Sequence, residues 1–130
     1  MDFTFLKSQR LTGKKEIDAV YNDGKTLKKY PFVVKYLRLV EMEKECLKGV
    51  FAVPKRRIPR AVKRNRIRRM LKEAYRLNKQ LLEEALGKSN QKMALFFVYT
   101  GKENVTYHQL EEKIRLILKE LSAIVSDTEQ

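Results

Sequence analysis

Hydrophobic positions change their period several times along the chain, and each change marks an element. From about Gly13 to Asn22, Ile17, Val20 and Tyr21 fall at helical spacing. Thr12 stands where a cap is needed, Glu16 suits the positive first turn and Gly24 follows as a stop, so a short helix is predicted, with core packing the first reading of Ile17 and Tyr21. Before it, Phe3, Phe5, Leu6, Arg10 and Leu11 follow no sustained period, and residues 1–11 are expected to lie as an extended arm over the domain. After it, Lys25 to Leu27 reads as a short strand and PFVVKYLRLV, Pro31 to Val40, as a longer one rich in β-branched and aromatic residues. In that strand Phe32, Val34, Tyr36, Arg38 and Val40 share one face and Val33, Lys35, Leu37 and Leu39 the other. Both faces are largely apolar, so either both are buried or one packs on helices and the other forms a partly exposed platform. The charged stretch Glu41 to Glu45 reads as a hairpin loop, and Lys48 to Val53 as the returning strand, closed by Pro54.

Beyond Pro54 the period becomes helical again. Pro59 suits a helix opening, because its missing amide has no partner to lose there. Ile67, Met70, Leu71, Ala74 and Tyr75 form one arc, which Leu81 and Leu82 extend if the helix continues; Asn65, Arg66, Arg68, Arg69, Lys72 and Arg76 form the opposite arc. Lys63 and Arg64 point toward the apolar side, so the first turn is expected to overhang the core. Glu83 to Lys92 is polar and reads as a connection broken at Gly87. MALFFVY, Met93 to Tyr99, is a continuous apolar run of strand length, expected in the sheet interior. Thr106 and Gln109 form a capping box, flanked by Val105 and Leu110 as a hydrophobic staple. The helix they start keeps Leu110, Ile114, Ile117, Leu118, Leu121, Ile124 and Val125 on one face, and residues 126–130 are expected to fray. The order αβββαβα predicts an α+β sandwich of the α/β type, a mixed sheet of about four strands packed with three helices. The basic helix is then the crossover between parallel strands.

Charge adds a function class to this fold. Of 29 Lys and Arg against 16 Asp and Glu, the segment Lys55–Arg76 holds eleven bases and one acid, Glu73, so it carries +10 of the formal +13. The other 108 residues hold 18 bases and 15 acids. A solubility device needs charge anywhere on the surface; charge gathered in one segment needs a polyanionic partner. A merely solvated helix face would interleave acids at i+4, and only Glu73 does so.

The remaining composition narrows the class. The 130 residues, 43% apolar, suit one domain with its own core. The lone Cys46 excludes a disulfide framework and implies a reduced, cytoplasmic compartment. An acid at position 2 and the absence of any run near ~20 apolar residues argue for a soluble, unexported protein with no membrane partner. Catalytic groups are thin. His108 stands alone at a capped helix start, and Cys46 has no His partner and no helix amino terminus to lower its pKa. No Gly-rich phosphate loop occurs, so any reaction must take its reactive groups from elsewhere. An arginine helix can enter the major groove of DNA, whereas regular RNA helices close that groove to it, so RNA would be met through irregular folds or single strands. A ribosomal or other structural RNA-binding protein and a DNA-binding regulator both fit these residues.

RIPRAVKRNRIRRMLK, Arg57 to Lys72, resembles the arginine-rich motif of the protein subunit of bacterial ribonuclease P. The shared residues are Ile58, Ala61, the Arg64-Asn65-Arg66 triplet, Ile67, Arg68, Arg69, Leu71 and Lys72. The likeness extends to Arg10-Leu11, to FVV at Phe32 to Val34, to VPKR at Val53 to Arg56, and to the last helix after a buried strand. It implies an accessory subunit of an endoribonuclease that matures the 5′ end of tRNA. In it a catalytic RNA subunit performs hydrolysis with magnesium, and the protein, a monomer bound one-to-one, carries no catalytic residue and no cofactor of its own. By position, the likeness implies RNA binding by Lys55, Arg56, Arg57, Arg60, Lys63, Arg64, Asn65, Arg66, Arg68, Arg69, Lys72 and Arg76. It also implies a cleft for the 5′ leader of precursor tRNA lined by Arg10, Ile17, Tyr21, and Lys35 or Tyr36. Family members often carry phenylalanines on the first helix, and this chain has Ile17 and Tyr21 there. They also have a left-handed crossover through the motif helix, against the general right-handed rule.

Overall fold

A computed structural model describes residues 10, 14–39 and 46–127 of the chain. In chain order the elements are α1 (Lys14–Asp23), β1 (Lys25–Lys29), β2 (Phe32–Arg38), β3 (Leu47–Ala52), α2 (Ala61–Asn78), α3 (Gln80–Ser89), β4 (Met93–Tyr99) and α4 (Tyr107–Asp127). The mixed sheet runs β1-β2-β4-β3, with β3 and β4 parallel and the other pairs antiparallel. This is the predicted α+β class, and the chain between β3 and β4 crosses over through the basic helix as expected.

Two expectations need correction. The reading of Glu41 to Glu45 as a hairpin loop pairs β2 with β3, but β4 lies between them, with Val34 opposite Phe97 on one side and Phe51 beside Phe97 on the other. The continuous apolar run of β4 explains this: buried on both faces, it takes an interior position, and β3 becomes an edge. The loop itself, like the Thr12 cap and all of the amino-terminal arm except Arg10, lies outside the described residues. The second correction is a fourth helix. The segment read as a polar connection is α3, whose Leu82 and Leu86 are one turn apart and fully buried under α4. Gly87 does not break it; the helix ends at Asn90, in the left-handed conformation at φ 55°. Between α2 and α3, Lys79 is 2% exposed and its ammonium meets the Glu83 carboxylate at 3.2 Å.

The sheet has two unlike faces. On one, Phe32, Val34, Leu47, Phe51, Leu95, Phe97 and Tyr99 join the stripes of α2, α3 and α4 in the main core. On the other, α1 is the helix among the described residues that covers a smaller cluster of Val20 and Ala94, with Ile17, Leu37, Val50 and Phe96 half-buried around it. The partly exposed platform is therefore the reading of β2 that holds. Gly24 holds α1 close to the sheet: its amide donates to Val20 O at 3.0 Å, and a Cβ there would collide with that carbonyl and lie 2.9 Å from that of Tyr36.

The orientation of α2 is set from inside. Tyr75, 1% exposed, meets Phe51 at 5.4 Å and Phe97 at 5.9 Å in edge-on geometry, while Phe51 and Phe97 stack at 5.0 Å. Each such pair adds about 0.5–1.5 kcal/mol beyond area burial. Gly49 in β3 leaves room for the ring, since a Cβ there would stand 3.3 Å from Tyr75 Oη. With Ile67, Leu71, Ala74 and Tyr75 facing the core, the basic arc has one azimuth. At the far end, α4 starts as predicted: Gln109 Oε1 accepts from the Thr106 amide at 3.0 Å and Thr106 Oγ1 from the Gln109 amide at 3.3 Å. The helix continues to Asp127, so residues 126 and 127, expected to fray, are helical.

Candidate nucleic-acid interface

The helix begins at Ala61 rather than Pro59, with Arg60 as N-cap in extended conformation and no side-chain cap. Arg64 compensates. Instead of overhanging the core, its guanidinium turns back and donates to Ile58 O at 2.9 Å and Pro59 O at 2.7 Å, tying the approach segment to the first turn. Two more arginines do similar work: Arg57 donates to Thr100 O at 3.1 Å and Arg66 to Val105 O at 3.0 Å, fastening this end of α2 to the β4–α4 connection. Arg68 donates to Asn65 Oδ1 at 3.1 Å, and Arg76 pairs with Glu73 at 2.6 Å. That pairing holds the Glu73 carboxyl below its ordinary range.

Lys55, Arg56, Arg60, Lys63 and Arg69 stand apart, with no side-chain hydrogen bond or ion pair to the described residues. All but the half-buried Lys63 are exposed. Lys72 is also exposed, and its pKa is lowered, first by partial burial and then by repulsion from Arg10 and Arg68. Arg10 comes there because it forms an isolated parallel bridge with Gly49 of the β3 edge. Cations from two distant parts of the chain are thus held where they repel one another, an arrangement that an anion relieves.

The second surface is the exposed side of the sheet beside α1. Tyr21, 55% exposed, sets its ring 6.0 Å from that of Phe96 at 56°, and the Lys35 ammonium lies 5.6 Å from the Tyr21 centroid. Lys35 also donates to Thr26 Oγ1. Ile17 packs inward against the small cluster. An exposed aromatic edge with a cation over it, on a sheet half-covered by one helix, suits stacking of unpaired bases. Tyr36 does not belong here: the alternation of β2 turns it to the main core, where it is half-buried, so only Lys35 of the two expected residues faces α1. Phe96 belongs to this surface and escaped sequence reading, because in a continuous apolar run no periodicity shows which residues face out.

Several acids away from α2 pair with bases. Glu16 pairs with Lys48 at 3.1 Å, Glu111 with Arg115 at 2.9 Å, and Glu120 with Lys29. Among the described residues no three His, Cys, Asp or Glu side chains converge as a metal ligand set, and no helix is long and apolar enough to cross a membrane. His108 is exposed and Cys46 half-buried.

A family model described as Ribonuclease P matches residues 5–122. The ribonuclease P protein component of Porphyromonas gingivalis is 34% identical over 113 residues, covering 87% of this chain and 82% of that protein. That of Chlorobaculum tepidum is 34% identical over 118 residues, covering 84% and 77%. Among solved structures, the RNase P protein of Staphylococcus aureus superposes with a TM-score of 0.70 at 19% identity, over 88% of this chain and 95% of that one. The RNase P protein of Thermotoga maritima gives 0.68 at 21% identity, over 85% and 96%. The solved structures share the fold, and the family match over residues 5–122 with relatives 34% identical over most of their length shows that the chain belongs to the ribonuclease P protein family.

Proposed function

We propose that this protein component binds the catalytic RNA subunit of ribonuclease P through the outer arc of α2 and holds the 5′ leader of precursor tRNA against the sheet beside α1. The observation that carries the reading is the approach of Arg10 and Arg68 to Lys72, whose pKa their charges help to lower. Each phosphate neutralised there releases condensed counterions, so half a dozen contacts give strong attachment that weakens with salt. Arg68, its fork fixed by Asn65, and the exposed Arg69 present planar donors suited to phosphate oxygens. Hydrolysis of the precursor belongs to the RNA, with magnesium held by the RNA. The protein's part is to reduce repulsion between the two RNAs and to orient the leader, on which Tyr21 and Phe96 stack bases while Lys35 meets the backbone.

The test combines the protein, a cognate RNA subunit and precursor tRNA at magnesium too low for the RNA alone. Cleavage at the 5′ maturation site is expected only when the protein is present. No gain over RNA alone would sink the proposal. Arg68→Glu with Arg69→Glu should abolish complex formation and leave the fold intact; undiminished binding at moderate salt would remove α2 as the docking surface.

A further inference from the structure

Beside the amino-terminal end of α4 lies a cavity of about 440 Å3 that neither of the surfaces above uses. Its walls are fixed. Thr100 N donates to Pro31 O at 2.8 Å, and Tyr99 Oη donates to Lys102 O at 2.6 Å. Gly101 allows this closure, since a Cβ there would stand 2.7 Å from that of Pro31. Tyr99, 1% exposed, lines the cavity, and Tyr30, 65% exposed, stands at its rim. Lys102, Asn104, Gln109 and Lys113 supply the polar part of the lining, with Pro31 and Val105 beside them. Gln109 Oε1 is occupied by the Thr106 amide, which fixes the carboxamide and leaves Nε2 as a donor. Neither lysine ammonium has a hydrogen bond or ion pair among the described residues.

We propose that this cavity takes one unstacked nucleotide of the RNA docked on α2, with the base on the Tyr30 ring, a base acceptor at Gln109 Nε2 or Asn104, and the phosphate between Lys102 and Lys113. The inference rests on the docking reading above. Its size falls within the roughly 300–1,000 Å3 of ligand pockets. An exposed aromatic, side-chain amide donors of which Gln109 is fixed, and unpaired ammonium groups are what a splayed nucleotide requires, whereas the rest of the basic surface offers phosphate contacts alone. Position also fits: Arg57 and Arg66 fasten α2 to the two ends of the Thr100–Val105 segment that walls the cavity, so RNA lying on the first turns of α2 passes its mouth. The site is separate from the sheet beside α1, because Tyr99 points to the main-core face.

The full-length, isotope-labelled protein is titrated with guanosine and uridine 5′-monophosphates, with inorganic phosphate, and with a glutamate-rich peptide, and amide shifts are followed. Saturable shifts at Tyr30, Lys102, Asn104 and Gln109 are expected with the nucleotides, with a dissociation constant on the order of 1 mM. Phosphate should move Lys102 and Lys113 only, and the peptide neither set. Tyr30→Ala should weaken nucleotide binding about tenfold. Lys102→Ala with Lys113→Ala should lower affinity for the RNA subunit about tenfold while leaving the melting temperature unchanged, since the Tyr99 bond uses the backbone oxygen of Lys102. Equal shifts from nucleotide and from phosphate or peptide would overturn the nucleotide site, as would lysine variants that bind RNA like the wild type. If those variants bind normally while Arg68→Glu with Arg69→Glu does not, the cavity inference fails and the docking reading stands. If the arginine variant binds normally, the docking reading fails instead.

Discussion

Replacing Arg69 and Lys72 together by glutamine separates charge that faces a partner from charge that holds the fold. Both side chains are exposed and neither has a bonding partner among the described residues; Lys72 is repelled by Arg10 and Arg68. Their loss should leave the melting temperature unchanged or slightly raised. If each neutralises one phosphate, the slope of log affinity against log salt becomes shallower by about 1.4–1.8, from roughly 0.7–0.9 per contact. Over a fourfold rise in salt, from about 0.1 to 0.4 M, the wild type should then lose about tenfold more affinity than the variant. The comparison is Arg64→Gln. Arg64 spends its guanidinium on Ile58 O and Pro59 O, and charged hydrogen bonds contribute about 1.5–3 kcal/mol when buried. Half-exposure reduces this to about 1 kcal/mol, so that variant should melt about 3–5 °C lower and change the slope by less than one contact. Filter binding to the RNA subunit at fixed magnesium and varied potassium, beside thermal melts, reads both quantities. An unchanged slope for the Arg69 and Lys72 pair, or a slope loss for Arg64→Gln as large as theirs, would refute the sorting of α2 cations into free and structural sets.

Three further outcomes follow from the fold. Gly87→Ala should stabilise the protein by about 0.5–1 kcal/mol in chemical denaturation, because Gly87 is inside α3 and a Cβ there meets nothing within 4 Å; destabilisation would mean that α3 is not helical at that residue. Glu83→Gln leaves the Lys79 ammonium, 3% exposed, without its partner and should cost about 3 kcal/mol, whereas Lys79→Met leaves a carboxylate with 22% exposure and should cost less; equal losses would contradict a buried pair. Burial, followed by the nearby Tyr30, pushes the Tyr99 phenol from an ordinary 10 up to about 12, with Arg66 acting the other way. The neutral form is the one the fold favours, so stability is level below pH 10 and declines as pH rises toward about 12; Tyr99→Phe should lose less over that window, and an identical alkaline decline would count against the assignment.

Local pattern predicted what local forces decide. The Ile67, Leu71, Ala74 and Tyr75 stripe, the Thr106 and Gln109 box and the apolar run of β4 all specify their own structure, because burial period and capping act within a few residues. Strand order is not of this kind. Each strand's alternation says which face is buried and nothing about which strand lies beside it, so the position of β4 between β2 and β3 had no local signal beyond its apolarity. In α3 the signal was present but diluted: Leu82 and Leu86 sit one turn apart among Glu83, Glu84, Gly87 and Lys88, and only the distant α4 gives them a surface to bury against. Tyr36 was legible, since alternation already sets it opposite Lys35. The approach of Arg10 to Lys72 was not, because it depends on a bridge to β3.

Counting bases between Lys55 and Arg76 also overstates how uniform the interface is. Arg57, Arg64 and Arg66 keep their charge but are fixed by carbonyls, and the charge of Arg76 is balanced by Glu73. What remains free divides into a band at the helix start, Lys55, Arg56, Arg60 and Lys63, and a band in its middle, Arg69 and Lys72. Along the axis Lys63 and Lys72 are about 14 Å apart at 1.5 Å per residue. That exceeds the screening length of roughly 8–10 Å at physiological salt, so the two bands act on a partner separately. One band would attract a phosphate backbone in any direction across the helix. Two bands, on a helix whose azimuth Tyr75 fixes against Phe51 and Phe97, favour a backbone that runs along α2 and so give the docked RNA a direction as well as a place.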